Sequence, residues 1–115
     1  MELTLVPKQG TYYIIAMQVI AKRTLKLFWE QHPQAETPLR TWFADVSATT
    51  WSTPADIKER YGASVDFVSD NRVIFDVGGN KYRLIVHVSY TYHRVLVKFV
   101  GTHADYDRIN AETVK

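Results

Sequence analysis

With 115 residues and no cysteine, the chain has room for one domain with one core, and disulfides, thiolate nucleophiles and thiolate zinc sites are excluded. Its hydrophobic share of 46% and its fifteen aromatic residues exclude an intrinsically disordered chain. A net charge of +2 is too small to point to nucleic acid by itself, so the placement of the charges has to decide that question.

The chain opens with an apolar run, Tyr12 to Ala21, behind Lys8. A bilayer needs about 20 such residues, and Gln18 and then Lys22-Arg23 cut this run short, so it reads as a β-strand at about Met17–Ala21 rather than a membrane span. The patterned part begins at Met17. This divides the chain into an extension, residues 1–16, of the kind an upstream start codon would add, and a single domain over residues 17–115.

Leu25, Phe28, Trp29 and His32 then recur at helical spacing, and Pro33 ends that helix. Thr37-Pro38 predicts the start of a second helix with the stripe Leu39, Trp42, Phe43 and Val46; the Trp29, Trp42 and Phe43 set belongs to the core. Thr53-Pro54-Ala55-Asp56 is a cap followed three residues later by a carboxylate, and it opens a third helix that runs to Tyr61 and stops at Gly62. From Val65 the period changes to two. Arg72–Val77, Lys81–Val88 and Arg94–Val100 read as strands joined by the tight turn Gly78-Gly79-Asn80 and a looser one at Ser89–His93, and so as antiparallel neighbours. A second Thr-x-x-Asp cap, Thr102 to Asp105, opens a short last helix. The fold class expected is α+β: a curved antiparallel sheet with helices packed on one face.

Alternate residues of a strand share a face. One register collects Val73, Phe75, Val77, Tyr82, Leu84, Val86, Val88, Val95, Val97 and Phe99, the face the helices cover. The other collects Arg72, Ile74, Asp76, Lys81, Arg83, Ile85, His87, Arg94, Leu96, Lys98 and Val100. Five cations against a single acid on one face form a surface suited to phosphates, whereas a merely solvated face mixes signs. At its end stand His103 and Tyr106, three apart on one side of the last helix, and both imidazole and phenol transfer protons. His32, His87 and His93 show no metal-ligand spacing, and no Gly-rich phosphate loop or nucleophile elbow is present, so neither a metal nor a cofactor is expected.

The chain resembles the HigB family of type II toxin–antitoxin toxins, a branch of the RelE-like superfamily, from about Met17 to Asn110. The likeness rests on Phe28-Trp29-Glu30-Gln31-His32-Pro33, Thr53-Pro54-Ala55-Asp56-Ile57-Lys58, Asn71-Arg72-Val73-Ile74-Phe75, Gly79-Asn80-Lys81-Tyr82-Arg83-Leu84 and Phe99-Val100-Gly101-Thr102-His103-Ala104-Asp105-Tyr106-Asp107. The resemblance implies a RelE-like fold and a metal-independent, cytoplasmic endoribonuclease that cleaves mRNA at the ribosome. It also implies a HigA-like helix-turn-helix antitoxin as partner, with operator DNA bound only by the pair. Carried onto the matched motifs, it makes Arg83, His103, Tyr106 and Lys58 the candidate catalytic residues. Arg72 and Lys81 from the same motifs, with Arg94 and Lys98 of the basic face, are the candidate RNA-binding residues. Two other readings fit the residues: a non-catalytic RNA-binding module that uses the basic sheet, and an inactive toxin relic that only binds its antitoxin. The first lacks the exposed aromatics of a base-stacking sheet, because Phe75, Tyr82 and Phe99 are expected on the helix side.

Overall fold

The computed structural model describes residues 16–115 and, ahead of them, the backbone of two short strands. These two, β1 (Leu5–Lys8) and β2 (Thr11–Ile14), pair antiparallel as a sheet of their own. The rest of the run from Tyr12 lies partly outside the described residues; its described end forms β3 (Gln18–Ile20).

Three helices follow. The first, α1 (Lys22–Gln31), buries Leu25 and Trp29, four apart on one side. It ends at His32, where Pro33 begins a 3-10 turn that runs directly into α2 (Glu36–Ser47). The start expected at Thr37 is therefore moved. Ala35 is the N-cap and makes no side-chain cap bond, while its methyl is fully buried. The turn presets the helix direction and burial replaces the cap; Pro38 falls within the first turn, where a missing N–H breaks no helical bond. In α3 (Pro54–Tyr61) the capping signal holds: the Asp56 carboxylate accepts from the N–H groups of Ser52 at 2.8 Å and Thr53 at 3.2 Å. Gly62, at φ 57°, takes the left-handed turn that stops it.

The strands β4 (Val65–Val68), β5 (Arg72–Val77), β6 (Tyr82–Ser89) and β7 (Arg94–Thr102) build an open five-stranded sheet of order β3-β7-β6-β5-β4. Its last four strands are antiparallel neighbours, with β4 added ahead of the three expected. The sheet is mixed rather than wholly antiparallel, because β3 pairs in parallel with β7, from Gln18↔Arg94 to Ile20↔Leu96. Short turns fix only adjacent strands as antiparallel, whereas β3 reaches β7 after the three helices and three other strands. No described helix is long and apolar enough to cross a membrane.

One layer of helices covers one face of the sheet. Leu25, Trp29, Leu39, Trp42, Val46 and Ile57 meet Val73, Phe75, Val77, Tyr82, Leu84, Val86, Val88 and Val95 in a single core. Trp42 and Trp51 both pack on Phe75. The strict alternation breaks at one place. The register shifts between Ile85 and Val86, so that Ile85 opposes Phe99 while Val86 opposes Val97, and Lys98 is the extra residue of a β-bulge. Beyond the bulge the faces exchange. Val100, opposite Leu84, packs on the core, and Phe99 joins Ile85 on the outer face, contrary to the alternation read from the sequence.

Candidate active site

The outer face has its chemistry at one end, where β5 turns into β6 and β7 passes into α4 (His103–Tyr106). The β5–β6 turn spans residues 78–81, and Gly78, Gly79 and Asn80 all have positive φ. This tight reversal sets Asp76 directly opposite Arg83, and Arg83 Nε lies 3.1 Å from Asp76 Oδ1. Arg83 Nη1 donates to the carbonyls of Asn80 at 3.1 Å and Tyr82 at 3.3 Å. The guanidinium is thus clamped at its inner edge, and Nη2 has no protein partner among the described residues. Its carbon lies 5.8 Å from the centre of the Tyr106 ring.

Tyr106 reaches that position because α4 is held by its own cap. Asp105 N–H donates to Thr102 Oγ1 at 3.1 Å, and Thr102 N–H donates back to Asp105 Oδ2 at 3.0 Å. These bonds, the backbone one first, hold the Asp105 carboxyl below the usual carboxylate range, with the charges of Arg108 and His32 acting in the same direction. Gly101, opposite Arg83, leaves the space this packing needs. A methyl group there would stand 2.6 Å from Phe99 Cζ and 2.9 Å from Asp105 Cβ. His103 begins the helix with a half-exposed ring whose Nδ1 is 3.6 Å from Asp107 Oδ2.

Of the candidates read from the sequence, the structure gathers Arg83, Tyr106 and His103 at this end, with Lys81 exposed in the adjoining turn. The others are spread out. Lys98 sits in the bulge, three residues before Gly101, and Arg94 begins β7, about 20 Å from Gly101 at the rise of a strand. Arg94 therefore lies too far from Arg83 to act on the same group. Arg72 is buried, and its guanidinium donates to two backbone carbonyls of the C-terminal segment. Lys58, on α3, donates to the Gly62 carbonyl at 2.8 Å and makes no contact with Arg83, His103 or Tyr106.

Three residues that the sequence places outside the site belong to this end as well. Asp76 holds Arg83, and Phe99 lies on the same face. His32 stacks on Phe28 at 4.4 Å, lines a recess with Tyr82, and bears on the Asp105 carboxyl. The signal for His32 was present in Phe28-Trp29-Glu30-Gln31-His32-Pro33, where it was weighed only as a metal ligand. Among the described residues no three His, Asp or Glu side chains are grouped to hold a metal ion.

Residues 35–109 match the family model described as HigB_toxin, RelE-like toxic component of a toxin-antitoxin system. That match spans well over half of the chain, including the Arg83 turn and the whole of α4. The chain belongs to the HigB toxin family. It is similar to the mRNA interferase HigB of Escherichia coli O6:H1, 27% identical over 94 residues that cover 81% of this chain and 91% of the relative. It matches the mRNA interferase toxin HigB of Escherichia coli K12 at 27% over 96 residues, 83% and 92% of the two chains, and the mRNA interferase HigB of Shigella flexneri to the same extent. As a HigB toxin, the chain is the toxic half of a toxin–antitoxin pair, and its α+β fold is of the RelE-like kind.

Proposed function

We propose that this toxin is an mRNA interferase: it cleaves mRNA and so inhibits translation. The observation that carries the reading is the clamped Arg83 guanidinium, with one free nitrogen, beside the Tyr106 ring of α4, the helix that His103 opens. RNA cleavage by its own 2′-hydroxyl requires a proton acceptor for that hydroxyl, charge stabilisation on the phosphorane and a proton donor for the departing 5′-oxygen. Arg83 supplies the positive charge. Its inner edge is fixed, so little reorganisation accompanies the reaction. Tyr106 and His103 are the proton-transfer pair. The 2′-oxygen bonds to phosphorus, the bond to the 5′-oxygen breaks, and one proton leaves and one is returned, which needs no metal.

Lys81, Arg94 and Lys98 hold neighbouring phosphates along the strand, and Phe99 offers a ring edge for a base beside the scissile phosphate. The substrate is mRNA on the translating ribosome, in the cytoplasm. The silencing partner is a HigA-like helix-turn-helix protein, and operator DNA is bound by the pair rather than by the toxin. Support for this reading comes from the family match and from relatives named as mRNA interferases. Its test is expression of the chain alone in a bacterium. Growth arrest, new internal mRNA 5′ ends and rescue by the neighbouring antitoxin are expected. Unchanged growth with an intact mRNA population would favour the relic that only binds its antitoxin.

A further inference from the structure

The outer face contains a second guanidinium in an unusual position. Arg72 is only 7% exposed, and among the described residues it makes no ion pair. Its Nη1 donates to the carbonyls of Ala111 at 3.1 Å and Val114 at 2.5 Å, and its Nε is buried with no partner at all. A buried cation is unfavourable unless an anion and a full set of acceptors face it. Here the acceptors are two backbone carbonyls of the last residues of the chain, and the buried Nε has none.

Arg72 is not the only covered residue on this side of the sheet. Ile74 and Ile85 share its face, are 4% and 0% exposed, and take no part in the core beneath the helices. The chain beyond α4 crosses this side of the sheet. It bonds to Arg72 through Ala111 and Val114, and Glu112 Oε2 accepts from Ser69 Oγ at 2.8 Å. Ile109, Ala111 and Val114 are half-buried there. Arg72 lies four residues from Arg83 in the β6 register, about 13 Å along the strand, so one RNA strand can reach both.

We infer that Arg72 heads a second phosphate subsite on the sheet, which residues 107–115 close as a strap whose Ala111 and Val114 carbonyls stand where RNA phosphate oxygens bind. The inference rests on the RNA-binding reading above and adds to it a competition: RNA that fills this subsite displaces the strap. A phosphate supplies what the strap does not, a negative charge and enough acceptors for Nε as well as Nη1. The strap therefore holds the subsite closed when no RNA is bound, and RNA must span from Arg83 to Arg72 to open it.

The test uses a 2′-O-methyl oligoribonucleotide, which cannot react through its 2′-oxygen, so it reads binding apart from cleavage. On the unmodified full chain, adding the oligonucleotide is expected to speed amide hydrogen exchange in residues 108–115. In parallel, Ser69→Ala with Val114→Ser loosens the strap and leaves the net charge unchanged. This variant is expected to bind more tightly with the same log–log salt slope, because its bound RNA sets the same phosphate against Arg72 without first displacing the strap. Arg72→Gln on top of it should remove that gain. RNA that binds without faster exchange overturns the strap, as does a gain that survives Arg72→Gln. An oligonucleotide that fails to bind at any salt overturns the RNA reading itself, and the strap inference with it.

Discussion

Arg83 and Arg72 are both nearly buried guanidiniums on one face of the sheet, and they differ in what faces them. Arg83 has the Asp76 carboxylate at its inner edge and an open side toward Tyr106; Arg72 has carbonyls and no carboxylate. Gly101 sets how closely α4 approaches Arg83. Gly101→Ala should therefore destabilise the fold by about 1–3 kcal/mol, the usual effect of overpacking, and lower cleavage by shifting Tyr106. Urea unfolding reads the first effect, and an unchanged midpoint would contradict the packing around Phe99 and Asp105. On the helix side, Asp45 accepts from Arg60 and from the Tyr61 hydroxyl. Burial alone would raise the Asp45 carboxyl, but these hydrogen bonds and the Arg60 charge outweigh it and hold the group below its ordinary 3.8. A lowered folded value gives stability above that pH which is lost as pH falls through the lowered value. Asp45→Asn should thus unfold at a lower temperature than the wild type at pH 7, with the gap closing below about pH 3.8. A gap that stays constant down to pH 2 would show that the carboxylate is not what matters there.

At the scale of elements, the parts legible in the sequence are those with local chemistry. The α3 cap, the Gly62 stop, the Gly78-Gly79-Asn80 turn and the Thr102–Asp105 box are each written in one to four neighbouring residues. The bulge was not legible. Val97, Lys98, Phe99 and Val100 all suit a strand, and a period of two cannot reveal one extra residue until the partner strand is in place. For the same reason the strap escaped notice, since residues 107–115 have no periodicity and bind through backbone carbonyls. The candidate site was half legible: Arg83, His103 and Tyr106 came from motifs, while Asp76 and Phe99 needed the register. The N-terminal division also belongs to this scale. Met17 is 2% exposed, its N–H donates to the Thr49 carbonyl and its sulfur accepts from Trp51 N–H, whereas β1 and β2 form a separate sheet. A chain that starts at Met17 should therefore fold with the same thermal midpoint and be equally toxic. Loss of solubility or toxicity would place residues 12–15 within the domain.

For the whole molecule, a net charge of +2 says little about what RNA meets, because Lys81, Arg83, Arg94 and Lys98 all lie on β6, β7 and the turn before them. Lys81→Ala, Arg94→Ala and Lys98→Ala should each lower the log–log salt slope of RNA binding by about 0.7. Affinity that is flat between low and physiological salt would remove the basic face from the account.

The central claim is that a clamped Arg83 and its α4 neighbours cut RNA with protein groups alone. The direct measurement is the rate of mRNA cleavage by the purified full chain on translating ribosomes, for the wild type, Arg83→Ala, and His103→Ala combined with Tyr106→Phe. The account predicts a loss of about a hundredfold or more for Arg83→Ala, the size that follows removal of one transition-state donor. It predicts a comparable loss for the double variant and no effect of EDTA on the wild type. Full activity in both variants, or wild-type activity abolished by EDTA, would contradict it.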